Sequence, residues 1–175
     1  TTFMECNLAG VDLHGATLES ATFVTSNLDA ADLRVARCAG AVAVQNSRMK
    51  DADLSGADLR GFNFGAGDLR GVKMVRAVLD GANLCEARID GADLRLSSAK
   101  GALMRLTNCT GALLSGVNFS DAVLQKSDLR GADLRRSNLF GADLSRVRLD
   151  RDTLFDGALL KRARTWPRLT PEQQA

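Results

Sequence analysis

An apolar residue recurs at every fifth position along almost the whole of this chain. The series runs from Phe3 through Leu8, Leu13, Leu18, Phe23, Leu28 and Leu33 to Cys38. After one additional residue it resumes at Val44 and Met49 and continues every fifth residue to Leu159. All thirty-two of these central positions are apolar, in a chain only 45% apolar overall. Chance agreement on that scale is about one in 10^11. Neither the helical period nor the strand period divides five, so a long amphipathic helix and ordinary alternating strands are both excluded. A chain that returns every fifth side chain to one axis must bend through about ninety degrees per repeat, as a coiled solenoid does.

Two further regularities fit that bend. The residue two before each centre is almost always Ala, Ser, Thr, Cys, Val or Gly, as expected where little volume remains beside a leucine. Thirteen of the sixteen glycines stand two residues after a centre; a corner needing positive φ selects glycine there. Aromatic side chains are few, with seven Phe, one Trp and no Tyr, which fits a narrow interior filled by medium and small groups.

Blocks such as GADLS, GADLR, GFNFG and GANLC resemble the pentapeptide-repeat family over residues 1–159. The resemblance implies an all-β fold, a right-handed quadrilateral β-helix of about eight coils of twenty residues, with a rod roughly 35–40 Å long at the usual strand spacing. The core ladder expected from this register includes Phe3, Leu8, Leu13, Phe23, Leu54, Leu59, Phe64, Leu69, Leu84, Leu94, Leu114, Leu134 and Leu144. One internal row would hold Phe3, Phe23, Val44 and Phe64, so that rings can stack. The additional residue is expected as a one-residue bulge at a corner near 39–41, without a domain break. Phe62 is oversized for its inward site, and Gly67 is expected to make room for it. Asp152, polar at an inward site, points to a loosened last coil or a bond to the end of the helix. Residues 160–175, with Trp166, Pro167 and Pro171, are expected to form a cap or tail. The chain opens on Thr1-Thr2, which leads us to expect preceding sequence.

The residues offer little to catalysis. His14 is the one histidine, outward beside Asp12, and no nucleophile is fixed near it; the expectation is no enzyme, no small-molecule substrate and no cofactor. Cys6, Cys38 and Cys109 fall at inward positions and Cys85 outward, without metal-ligand spacing, so reduced thiols and no metal are expected. The repeated Asp before a centre is read as a short acceptor for backbone N–H groups at the corner. There is no signal-peptide pattern, and no apolar run is long enough for a transmembrane helix.

Charge bears on partners. Lys and Arg exceed Asp and Glu by two, and Asp is commonly offset by Arg two residues later, as in Asp68/Arg70, Asp93/Arg95, Asp128/Arg130 and Asp133/Arg135. Some relatives are DNA-mimicking modulators of DNA gyrase, of the quinolone-resistance type; that mechanism needs an ordered acidic side, which interleaved charges do not provide. Direct nucleic-acid binding is disfavoured too, since the basic residues Lys161, Arg162, Arg164 and Arg168 form only a short tail. A protein partner is the preferred reading. Outward apolar residues Leu96, Leu103, Leu106, Leu113 and Val123 include a patch in which Leu103 and Val123 stack on adjacent coils with Leu106 near the following corner; Phe140, Phe155 and Leu160 form a second, terminal group. The C-terminal segment from Arg135 resembles pentapeptide-repeat proteins associated with bacterial type VI secretion. That implies a cytoplasmic bacterial adaptor or accessory part, or one delivered by the secretion apparatus. A dimer is permitted, but no hydrophobic C-terminal dimerisation helix is evident.

Overall fold

The computed structural model describes residues 1–44 and 47–166. Every described stretch follows one path. A short extended side is followed by a corner, and the next coil lies parallel on top of it. The sides are so short that, among the described residues, only five qualify as strands: β1 (Thr2–Met4), β2 (Thr22–Val24), β3 (Val42–Val44), β4 (Asp143–Ser145) and β5 (Arg164–Trp166). β1, β2 and β3 form one parallel sheet and β4 pairs with β5 in another. The remaining sides are joined by single parallel bridges, as at Asn83↔Leu103 and Leu103↔Val123. The chain is therefore a right-handed quadrilateral β-helix, with about eight coils.

Stacking satisfies the backbone. Leu8 N–H donates to Asn27 O at 2.7 Å, and Asn27 N–H donates back to Cys6 O at 2.9 Å. Across the corner, Val11 N–H donates to Leu8 O at 3.2 Å. This turn requires positive φ at its third residue. Glycine is common there, but Leu96 (φ 61) and Arg136 (φ 57) adopt the same conformation. The unfavourable torsion of roughly 1–2 kcal/mol per non-glycine residue is offset by the bonds to both neighbouring coils. At the corner following β1 and β2, serine hydroxyls substitute for this turn bond. Ser26 Oγ donates to Phe3 O at 3.2 Å, and Ser47 Oγ donates to Phe23 O at 3.0 Å.

The central residues form a dry column. Phe23, Leu54, Leu59, Phe64, Leu69, Leu84, Leu94, Leu114, Leu134 and Leu144 are buried, while Phe3, Leu8 and Leu13 at the first coil are partly buried. Phe3 and Phe23 stack with ring centroids 4.9 Å apart. Phe62 stacks on Phe64 at 3.9 Å. Gly67 serves a different neighbour from the one expected: a Cβ there would meet Phe64 O at 2.9 Å and Leu69 Cδ1 at 3.3 Å.

The first irregularity lies further along the chain than residues 39–41. Paired residues are twenty apart through Val24↔Val44 and twenty-one apart from Asn27↔Arg48. The extra residue is thus accommodated between Val44 and Arg48. Ala43, paired with Phe23, holds the central position expected for Val44. Volume explains the choice. The next coil brings two stacked rings, Phe62 and Phe64, into the interior, and the small pair Ala41 and Ala43 leaves room that two valines would overfill.

A second irregularity escapes a strict count of five. The offset changes again, from Asp128↔Arg148 to Asp133↔Leu154. Beyond it the inward residues are Thr153 and Phe155, both buried, then Ala158 and Leu160, packed against the core. Leu154 and Leu159, the centres expected by count, are 37% and 48% exposed, and Asp152 is exposed. Desolvation decides this register: the alternative would bury the Asp152 carboxylate, whereas the observed one buries Thr153, whose hydroxyl donates to Leu129 O at 3.0 Å. Asp150 secures the bulge by accepting N–H groups from Gly131 and Asp152 at 2.9 and 3.1 Å. The coil consequently continues through β5, so residue 160 is not a boundary; residues 167–175 of the expected cap or tail lie outside the described residues.

Candidate functional site

The outward residue before each centre sets the character of each side of the rod. On two sides this row carries Asp, Arg or Lys at most levels, and on a third, from Thr17 to Leu159, at Arg37 and Asp58. On the side bearing β1–β3 it reads Thr2, Thr22, Val42, Asn63, Asn83, Leu103 and Val123, bridged in that order and uncharged over seven coils. Leu103 and Leu106 are exposed at 44% and 46% and Val123 is half-buried. Met4, at the opposite end of the same side, is 64% exposed. Asn83 Nδ2 donates to Asn63 Oδ1 at 2.9 Å between these apolar ends. Leu103 and Val123 are bridged on adjacent coils, and Leu106 stands at the corner that follows.

The terminal group is not. Phe155 is buried and Leu160 packs against the core, because the second register change turns both inward. Phe140 remains outward and half-buried, with the Arg162 guanidinium 5.6 Å above its ring centre. Gly157 was the available signal: at φ +69 it is a corner glycine, and it falls two residues after Phe155, out of phase with Leu154. The small residues Thr153, Ala158 and Ala163 point to the same register.

The other sides carry solvated charge ladders. Arg95 donates from Nε and Nη2 to the two Asp93 oxygens at 2.9 and 2.7 Å, and Arg135 engages Asp133 at 2.9 and 2.8 Å. The same fork at Asp32, through Arg34, lowers that carboxylate to about 2. Asp58, Asp68, Asp93, Asp128 and Asp133 are lowered by the same kind of bond. These aspartates also accept the backbone N–H two residues on, as Asp53 does from Ser55 at 3.0 Å. Asp12 likewise accepts His14 N–H at 2.9 Å, so its carboxylate serves the backbone.

Cys38 and Cys109 are buried and Cys6 and Cys85 half-buried, all four as free thiols. Burial pushes Cys38 up to about 12 and raises Cys109 as well, which suppresses their thiolates. Among the described residues, no group of three metal-ligating side chains converges and no helix is long and apolar enough to cross a membrane.

A square β-solenoid with Asp and Asn turn bonds, leucine centres and outward ladders defines a class of non-globular repeat protein, built to present flat surfaces. The chain belongs to the pentapeptide-repeat family. The pentapeptide-repeat profile matches in eight copies, over residues 2–41, 45–65, 68–98, 102–141 and 112–151. The gap after residue 41 adjoins the first change of register. Among solved structures, QnrB1, a plasmid-mediated fluoroquinolone resistance protein, is 15% identical over 90% of this chain and 92% of its own, with a TM-score of 0.50. HetL, involved in heterocyst differentiation regulation in the cyanobacterium Nostoc sp. strain PCC 7120, is 25% identical over 93% and 84%, with a TM-score of 0.49. A thylakoid-lumen pentapeptide-repeat protein of Arabidopsis thaliana is 25% identical over 71% and 66%, with a TM-score of 0.34. No curated protein matches the chain closely enough to count as a relative. These likenesses concern the fold.

Proposed function

We propose that this protein is a non-catalytic scaffold that binds a protein partner through the side bearing β1–β3, centred on Leu103, Leu106 and Val123. The observation that carries the reading is the row from Thr2 to Val123, uncharged over seven coils and ending in the outward apolar residues Leu103 and Val123. Desolvating that row costs less than desolvating an Asp–Arg ladder, and apolar side chains exposed together tend to mark contacts. Within this reading, the C-terminal resemblance favours an adaptor or accessory part of a bacterial type VI secretion system, cytoplasmic or delivered by that apparatus. Co-purification of the full chain with purified structural components of such an apparatus tests this. Leu103→Asp with Val123→Asp should abolish capture while leaving the melting temperature near that of the parent. Capture unaffected by these changes would remove this side as the contact. The alternative, gyrase modulation by DNA mimicry, lacks a continuous acidic side here. A supercoiling assay with a quinolone should accordingly show no protection at micromolar protein.

A further inference from the structure

A trough of about 1210 Å³ runs along one corner of the rod, from Gly56 to Asp156. It lies away from the side bearing β1–β3, at the corner after the row that contains Asp93 and Asp133. Its relief comes from alternation of large and absent side chains at one corner position. Arg76, Leu96, Gly116 and Arg136 occupy that position in successive coils, all at positive φ. Leu96, 58% exposed, lies down over its glycine neighbour: a Cβ on Gly116 would come within 2.9 Å of Leu96 Cδ2. An apolar ledge therefore spans the middle of the trough, with an exposed arginine beyond each end of it.

Those two arginines are uncommitted. Neither Arg76 nor Arg136 makes an ion pair among the described residues, unlike Arg95 and Arg135, whose Nε and Nη2 groups are held by Asp93 and Asp133. Arg76 and Arg136 are three coils apart, or about 14 Å at the usual strand spacing. In an extended peptide, side chains i and i+4 face the same way about 13–14 Å apart, with i+2 midway. We infer that this corner binds an extended acidic peptide segment with carboxylates at i and i+4 and an apolar residue at i+2. The carboxylates meet Arg76 and Arg136 in charge-assisted, fork-like hydrogen bonds, and the apolar residue rests on Leu96 above Gly116. A nucleic-acid strand fits less well, because Asp156 lines the end beyond Arg136 and repels a uniformly anionic backbone, whereas the peptide needs only two anions.

Fluorescence anisotropy with the full chain and a fluorescein-labelled peptide, Gly-Ser-Glu-Ser-Leu-Ser-Glu-Ser-Gly, tests the inference. Binding should weaken with added salt and fall at least about tenfold when Arg76→Ala and Arg136→Ala are combined. It should fall comparably when both peptide glutamates are replaced by glutamine. Arg146→Ala, at an exposed corner of another side, should leave it unchanged, and both variants should melt with the parent. Equal affinity for the glutamine peptide would overturn the inference. So would an equal loss with Arg146→Ala, or displacement of the peptide by a lower concentration of oligothymidylate.

Discussion

The middle of the rod and its last coil are made of the same repeat but are held differently. From Ala52 to Leu144 the central residues are sealed by coils on both sides and are almost wholly inaccessible. Among the described residues of the coil after Asp150, only Thr153 and Phe155 are buried, and Ala158, Leu160 and Ala163 are partly covered. The middle also carries the paired Asp–Arg forks, while the ion pairs of the last coil among the described residues are long, Arg151–Asp152 at 3.9 Å and Arg164–Asp143 at 4.0 Å. In a solenoid each coil draws its stability from its neighbours, so position along the rod matters more than residue type.

Substitutions along the centre line sharpen that contrast. Leu114→Ala should cost about 2–5 kcal/mol in urea unfolding, since the cavity cannot collapse between two packed coils. Phe155→Ala should cost about 2–3 kcal/mol, at or below the usual range for a buried phenylalanine, because among the described residues its coil is covered on one side only. Leu154→Ala should change stability by no more than about 0.5 kcal/mol. A larger loss at Leu154 than at Phe155 would break the register described here.

Acid should erode the advantage of the middle. Asp58, Asp68, Asp93, Asp128 and Asp133 are more acidic in the folded chain than the usual carboxylate value of about 4. Their pairing therefore stabilises the fold fully above that value and is lost as pH falls through the lowered ones, near 2 for Asp32. Melting temperature should be flat from neutral pH to about 5 and decline below about 4. Because the pairs are largely solvated, the decline should be gradual and reduced by salt. A loss of stability centred near neutral pH would exclude this origin.

The smallest effect expected lies at a defect of the otherwise well-sealed interior. Ser97 and Ser137 bury hydroxyls without a hydrogen-bond partner, whereas Thr107 Oγ1 donates to Leu84 O at 2.7 Å. Ser137→Ala should leave stability unchanged or raise it by up to about 1 kcal/mol. A clear loss on differential scanning calorimetry would mean that the hydroxyl is satisfied in solution.

Reading in fives was sufficient to assign the solenoid, the buried column and the outward placement of Leu103, Leu106 and Val123. It was insufficient wherever two apolar residues stand side by side. Leu154-Phe155 and Leu159-Leu160 satisfy the period in either register, and so does Ala43-Val44. The corner groove was also illegible by period, since Arg76, Leu96, Gly116 and Arg136 are twenty residues apart and differ in type.

What the amino-acid order determined by itself was the interior. Burial of one apolar side chain per five residues permits only a path that turns squarely toward a common axis. What tertiary structure alone decided was the phase of that path at its two irregular corners, and the relief of its surface. At those corners, competing registers differ by the volume of a neighbouring coil or the desolvation of one carboxylate. Such terms acquire a value only when the coils above and below are in place.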